Sequence, residues 1–335
     1  MKPFEYATAL SADSARQLVA GHGAYLAGGN DLLGLLKDYL IPGPEILVNI
    51  KSLPGMSQIQ RGDKSWTIGA LVTIAELEND AEIEKIFPGL HDAAKEIASP
   101  QIRNVATVGG NLAQHSRCWY YRQRDVLCLK KGGDLCYARH GDSRYHSLFT
   151  GNDCISPVVS SLGTAFAALD ATAVVLRDGK ETRMSMADLY QKAWTEVTAH
   201  NSLAPGDLIL RVEIPATRNR SAYLQVSDKH TFDWALVSCA AAANVDGGNL
   251  SQPRVALGSI SPVPHQVEAA NNFLDGKTPD DDIASQAADL ILKDAKPLEH
   301  NAYKIPMAHA LIRRTLLKLK GSPRGVEPAT SRGEL

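Results

Sequence analysis

At 335 residues with 44% hydrophobic content, the chain is long enough for two or three compact domains with real cores, and too apolar for a disordered tail. A formal net charge of -2, a pI near 6.6 and no long run of like charge exclude a global pull toward nucleic acid or an anionic membrane, leaving small molecules and protein partners. No segment approaches the ~18 uninterrupted apolar residues of a membrane helix, and the opening Met1-Lys2-Pro3-Phe4-Glu5-Tyr6 has no basic stretch followed by an apolar core, so neither membrane insertion nor an export signal is expected.

Taken in chain order, a helical pattern over 12–22 stands among short apolar runs at 24–27 and 46–50 that read as buried strands, a small β-α-β unit. A strand follows over 66–70, then a helix over 73–79 opened by Thr73 with Glu76 three residues on, and a further helix over 90–98. Gly109-Gly110 is expected to break regular structure. Between 116 and 154 the composition turns to Arg, Lys, Tyr, Gly and Cys with no sustained period, an insertion that something other than apolar burial must order. Beyond it come an apolar stretch at 165–176, a helix over 184–191 and a strand over 208–214 with one face to solvent, and a first domain ends near Pro215. From about 221, segments at 222–226, 234–245 and 255–259 lead to a helix over 308–319 and a mobile tail over 321–335. No internal repeat is present.

Two segments place paired glycines where a chain can grip an anion. Leu26-Ala27-Gly28-Gly29-Asn30-Asp31-Leu32 follows a strand and precedes a helical run, and Ala106-Thr107-Val108-Gly109-Gly110-Asn111-Leu112 repeats the chemistry. Such turns present successive backbone N–H groups, and a following helix adds its positive end. Neither is a G-x-G-x-x-G fingerprint, and a tight turn with no ligand is the bland alternative for each alone. Their pairing, with Thr107 as a hydroxyl donor, fits a pyrophosphate held from both sides, hence a dinucleotide.

Of five cysteines, Cys118, Cys128, Cys136 and Cys154 lie inside the insertion, with nine, seven and seventeen residues between them. A 4Fe-4S cluster needs four converging thiolates, one per iron. Arg117, Arg122, Arg124, Lys130, Lys131, Arg139 and Arg144 offer positive charge to a cluster of net negative charge, and Gly132-Gly133 lets backbone approach sulfur. Disulfides, a structural zinc site and unliganded thiols are the alternatives. Cys239, among small apolar neighbours, reads as core.

These residues resemble the flavoprotein (medium) subunits of the xanthine dehydrogenase and carbon monoxide dehydrogenase family. Besides the two glycine turns, the resemblance rests on Ile68-Gly69-Ala70-Leu71-Val72-Thr73, Ser99-Pro100-Gln101-Ile102-Arg103-Asn104, Phe232-Asp233-Trp234-Ala235-Leu236-Val237-Ser238 and Leu257-Gly258-Ser259-Ile260-Ser261-Pro262-Val263-Pro264, nearly the whole chain. Arg117-Cys118-Trp119-Tyr120-Tyr121-Arg122 resembles the subset with an added 4Fe-4S cluster, which includes periplasmic-type aldehyde oxidoreductases and 4-hydroxybenzoyl-CoA reductase.

The resemblance implies an α+β fold. A two-subdomain FAD-binding domain of the vanillyl-alcohol-oxidase/PCMH-like type over 1–215, divided into about 1–55 and 56–215 with the cluster insertion at 116–155, precedes an α+β C-terminal domain over 221–320. It implies that Leu26, Ala27, Gly28, Gly29, Asn30, Asp31, Leu32, Thr107, Gly109, Gly110, Asn111, Gln114 and Lys229 hold FAD. Cys118, Cys128, Cys136 and Cys154 would ligate the 4Fe-4S cluster, with no catalytic residue on this chain. Lys229 read alone is an ordinary surface lysine. Two positions depart from the family: Ser160-Ser161 lacks the acid of a common Ser-Asp pair, and Gln225 stands where lysine is frequent.

The implied function is electron transfer in a heterotrimeric molybdenum hydroxylase oxidising aldehydes. The molybdenum cofactor sits on a large partner, two 2Fe-2S clusters sit on a small one, and electrons pass through FAD to an external acceptor. A reductase of the 4-hydroxybenzoyl-CoA type, run in the opposite direction, and a zinc-stabilised scaffold without redox chemistry are the competing readings. The expected compartment is the cytoplasm, or the periplasm by co-export with a signal-bearing partner.

Overall fold

The computed structural model of the protein describes residues 1–229 and 232–320. The tail expected over 321–335 lies outside the described residues. Three sheets organise the chain. The first is small and parallel, with β1 (Glu5–Thr8) and β2 (Gly23–Leu26) flanking β3 (Ile46–Asn49). Helix Ala12–Val19 crosses over between β1 and β2, opened by a Ser11 capping box, and buries Ala15 and Val19 beneath the sheet.

The second sheet is five-stranded and antiparallel. In the order β4-β5-β8-β6-β7 it contains β4 (Ile59–Gln60), β5 (Ser65–Gly69), β6 (Thr172–Arg177), β7 (Lys180–Ser185) and β8 (Leu208–Pro215). Helix Ile74–Asn79 begins at Thr73, whose side chain accepts the Glu76 N–H while Glu76 reaches back to the Thr73 N–H. The apolar stretch at 165–176 divides into helix Ser161–Ala168 and β6, because Asp170 takes φ +56° between them. The helix expected over 184–191 begins at Met186 and runs to Thr195; Met184 and Ser185 belong to β7.

The third sheet is an antiparallel meander of β9 (Arg220–Ser227), β10 (Ala235–Asp246) and β11 (Asn249–Gly258). Its faces are apolar because β10 carries a buried run from Leu236 to Ala243, small enough for helix Lys304–Leu319 to pack closely across it. Helices Glu268–Leu274 and Asp281–Leu292 complete this layer. Helix Pro88–Lys95 joins the second unit to the third through Gly89, where an added Cβ would lie 2.8 Å from the Ala222 nitrogen.

Candidate functional site

The chain leaves β2 and turns through Gly28-Gly29, with Gly29 at φ +77°, into helix Leu32–Lys37. A Cβ on Gly28 would lie 2.2 Å from the Val105 carbonyl oxygen, so only glycine lets this turn touch the segment leading into the second turn. Asn30 Nδ2 donates to the Ile102 carbonyl at 3.4 Å. The two glycine segments, far apart in sequence, are therefore neighbours.

The second segment corrects the expectation that Gly109-Gly110 breaks regular structure. Both lie inside helix Val108–Ala113, capped by Thr107, whose Oγ1 accepts the Gly110 N–H at 3.1 Å. Close packing overrides glycine's low helix propensity: a Cβ on Gly109 would stand 2.9 Å from the Ala70 Cβ, and the Gly109 N–H donates to the Ala70 carbonyl at 2.8 Å. A cavity of about 140 Å³ opens beside the turns, lined by Tyr25, Ala27, Thr107, Gly109, Gly110 and Leu208. The amides of Gly28, Gly29 and Asn30 donate to no backbone carbonyl among the described residues. In the second segment the Gly109, Gly110 and Asn111 amides are already taken by the Ala70 carbonyl, Thr107 Oγ1 and the Thr107 carbonyl, so the donors left for an anionic pyrophosphate are those of the first turn, beside the cavity rather than in its wall.

Asn111 and Gln114 stand outside this lining, and Gln114 borders a separate small cavity beside Ser160. Ser160 donates from its hydroxyl to Asn111 Oδ1 at 2.6 Å and accepts the Gly163 N–H at 2.8 Å, while Gln114 Nε2 donates to the Asn111 carbonyl at 2.9 Å. Asp31 faces the insertion: its carboxylate accepts the His115 N–H at 2.8 Å and pairs with Arg117 and Arg122, each at 2.7 Å. Burial alone would raise its pKa, but the two guanidiniums outweigh burial and hold the carboxyl below its ordinary range.

The insertion brings Cys118, Cys128, Cys136 and Cys154 to one pocket, together with His146 and Lys130. Burial pushes the Cys118 thiol up to about 12 and raises that of Cys154, so metal binding must displace protons. His146 Nε2 stands 3.1 Å from Cys118 Sγ, and burial lowers this imidazole to about 4. Among the described residues no three or more His, Cys, Asp or Glu side chains form a group fit to hold a single metal ion, and all five cysteines are free thiols. Cys239 is wholly buried in β10.

Between the turns and the cysteines runs a polar bridge that the sequence did not single out. His115 stacks on His200 at 4.0 Å between centroids, His115 Nδ1 meets the Tyr121 hydroxyl at 2.9 Å, and the Ser116 N–H donates to His200 Nδ1 at 3.2 Å. A wider cavity of about 330 Å³ takes in Lys229, with Trp119, Trp234 and Asp228 in its walls and Cys118 at its margin. Lys229 itself is exposed, its N–H donating to Asp233 at 3.3 Å. Arg117 lies over the Trp234 ring, 4.7 Å from its centroid. No helix of the described residues is long and apolar enough to cross a membrane.

Comparison with known proteins returns two family matches: the FAD binding domain in molybdopterin dehydrogenase over residues 2–217, and the CO dehydrogenase flavoprotein C-terminal domain over 221–319. The chain is 32% identical over 332 residues to the aldehyde oxidoreductase FAD-binding subunit PaoB of Escherichia coli (strain K12), covering 97% of this chain and 99% of that protein. It is 27% identical to the carbon monoxide dehydrogenase medium chain of Hydrogenophaga pseudoflava, over 93% of this chain and 96% of the other. Among solved structures, quinoline 2-oxidoreductase from Pseudomonas putida 86 superposes with a TM-score of 0.73 at 25% identity, over 96% of this chain and 99% of its counterpart.

Proposed function

The chain belongs to the family of FAD-binding subunits of molybdopterin dehydrogenases, and on that premise we propose that it is the FAD and 4Fe-4S electron-transfer subunit of a three-subunit molybdenum hydroxylase acting on aldehydes. The contact of the two glycine segments carries this reading: Gly28 lies against Val105, and Ala27 of the first segment and Thr107, Gly109 and Gly110 of the second line one cavity. In the proposed site Leu26 to Leu32 and Thr107, Gly109, Gly110 and Asn111 would hold the pyrophosphate and its neighbours, with Gln114 just beyond, and Asp31 anchors Arg117 and Arg122 at the insertion. Lys229, in the wall of the aromatic cavity, would add a positive charge to the flavin site. FAD supplies two-electron and one-electron chemistry in such a site, and the protein binds and tunes it.

The cluster reading is supported by the pocket that all four insertion cysteines share. The proposed partners are a large subunit with the molybdenum cofactor, a small subunit with 2Fe-2S clusters, and an external electron acceptor. The identity to the aldehyde oxidoreductase FAD-binding subunit supports aldehydes as the substrate class of the assembly. The test is an ultraviolet-visible spectrum of the coexpressed complex with metal analysis of this chain. Flavin bands, a broad iron–sulfur shoulder and about four irons on this chain are expected. Zinc without flavin would contradict the reading.

A further inference from the structure

Lys130 and Lys304 are the buried lysines among the described residues, and Lys130, 9% exposed, faces the cysteines. It lies on the turn Leu129–Lys131 that follows Cys128. Its ammonium donates to the Ala199 carbonyl at 2.6 Å. One backbone carbonyl does not offset the cost of taking an ammonium out of water; an opposite charge nearby does. The groups placed to supply that charge are the insertion cysteines once deprotonated.

Lys130 also marks a boundary. With Ser156 it lines both the four-cysteine pocket and an adjoining small cavity reached by Gln114, Ser160 and His200, at the end of the second glycine segment. A cation at that boundary acts on charge in the cysteine pocket more strongly for being out of water.

We propose that Lys130 is the charge-compensating residue of the cluster site, fixed by the Ala199 carbonyl so that its positive charge favours the reduced state and sets the potential at which this site exchanges electrons with the flavin. The inference rests on the cluster reading above. Four thiolates around the cluster leave the site net negative, and each added electron makes it more so. A fixed cation therefore favours reduction, and net charge is one of the quantities that set such potentials.

The test is an anaerobic, dye-mediated redox titration of the coexpressed complex with dithionite as reductant. The reduced cluster is followed by electron paramagnetic resonance, with iron and sulfide counted per chain, for wild type, Lys130→Met and Lys130→Arg. Lys130→Met should lower the constant for one-electron reduction at least tenfold, a fall of about 59 mV, while Lys130→Arg stays within threefold of wild type and the 2Fe-2S signals do not move. An unchanged potential in Lys130→Met, or an equal fall in Lys130→Arg, overturns the proposal. If the Met variant lacks the cluster, a cluster kept in the Arg variant supports the cation's role, and loss from both overturns it. A wild-type chain without iron contradicts the cluster reading itself, and this inference with it, before any variant is compared.

Discussion

The strand β10 is buried along most of its length, whereas the cysteine insertion at 116–155 is partly exposed, and different means hold them. β10 is ordered by ladders to β9 and β11 and by a run of small apolar side chains under helix Lys304–Leu319. The insertion contains only the turn Leu129–Lys131 and the short helix Tyr137–His140; a few apolar anchors, Tyr121 with Leu35 and Leu40 and Leu148 and Phe149 with the C-terminal layer, are joined by many polar ties. Arg122 bonds to the Ser116 carbonyl and Asp31, Arg139 bonds to the Asn152 and Asp153 carbonyls, and the Asn152 amide reaches Ala193 and Trp194. An apolar layer spreads its stability over many small contacts. A polar scaffold depends on each partner, because every unpaired buried group costs about 1–3 kcal/mol.

The largest expected consequence lies in the insertion. Cys154→Ser should remove all iron from this chain in the complex and speed hydrogen exchange across 116–155, leaving 235–258 as protected as before. Unchanged exchange in the insertion would show that it orders itself without a metal. In the C-terminal layer, Leu316→Ala, at a fully buried position, should cost about 2–5 kcal/mol in urea unfolding while leaving iron content unchanged. Asp31→Asn strips Arg117 and Arg122 of their shared counter-charge and should cost roughly 1–3 kcal/mol, with the added exchange confined to the insertion.

The two regions should also separate with pH. Burial holds His115 near a pKa of about 4 and His200 well below 6.5 in the folded chain. On unfolding both regain ordinary basicity, so the unfolded state binds more protons below pH 6.5. Stability from these groups is full above that value and falls as the pH drops toward about 4. Limited proteolysis at pH 7.5 and pH 5 should show faster cutting within 116–155 at the lower pH and a smaller rise in β9 to β11, where burial also lowers the pKa of His265, paired to Leu257. The smallest effect is at the surface: Arg313→Ala removes an exposed pair with Asp281 and should cost under about 1 kcal/mol in the same unfolding assay.

Local patterns made much of this molecule legible before its structure. The apolar runs of β2, β3 and β5 and the Thr73 cap stand where periodicity and capping chemistry put them, while the segment at 234–245, marked out without a type, is β10. β1 was missed because Glu5–Thr8 is a mostly exposed edge strand with no buried run to reveal it. The helices Glu268–Leu274 and Asp281–Leu292 were not singled out either. Gly109-Gly110 misled because residue propensity says nothing of the approach to Ala70. In the candidate site, the glycine segments and the clustered cysteines were readable as motifs. Their juxtaposition was not, since Gly28 meets Val105, and His200 and Ala199 reach the insertion from a loop beyond helix Met186–Thr195.

If the two glycine segments form one flavin cradle, Gly28 is the residue on which it turns. Released flavin per chain should be measured for wild type, Gly28→Ala, and Gly34→Ala as a control at an open position. A Cβ at Gly28 forces the first turn away from Val105, so flavin occupancy should fall at least tenfold while circular dichroism and the Gly34→Ala control stay at wild-type values. Full flavin occupancy in Gly28→Ala would contradict the cradle and the reading built on it.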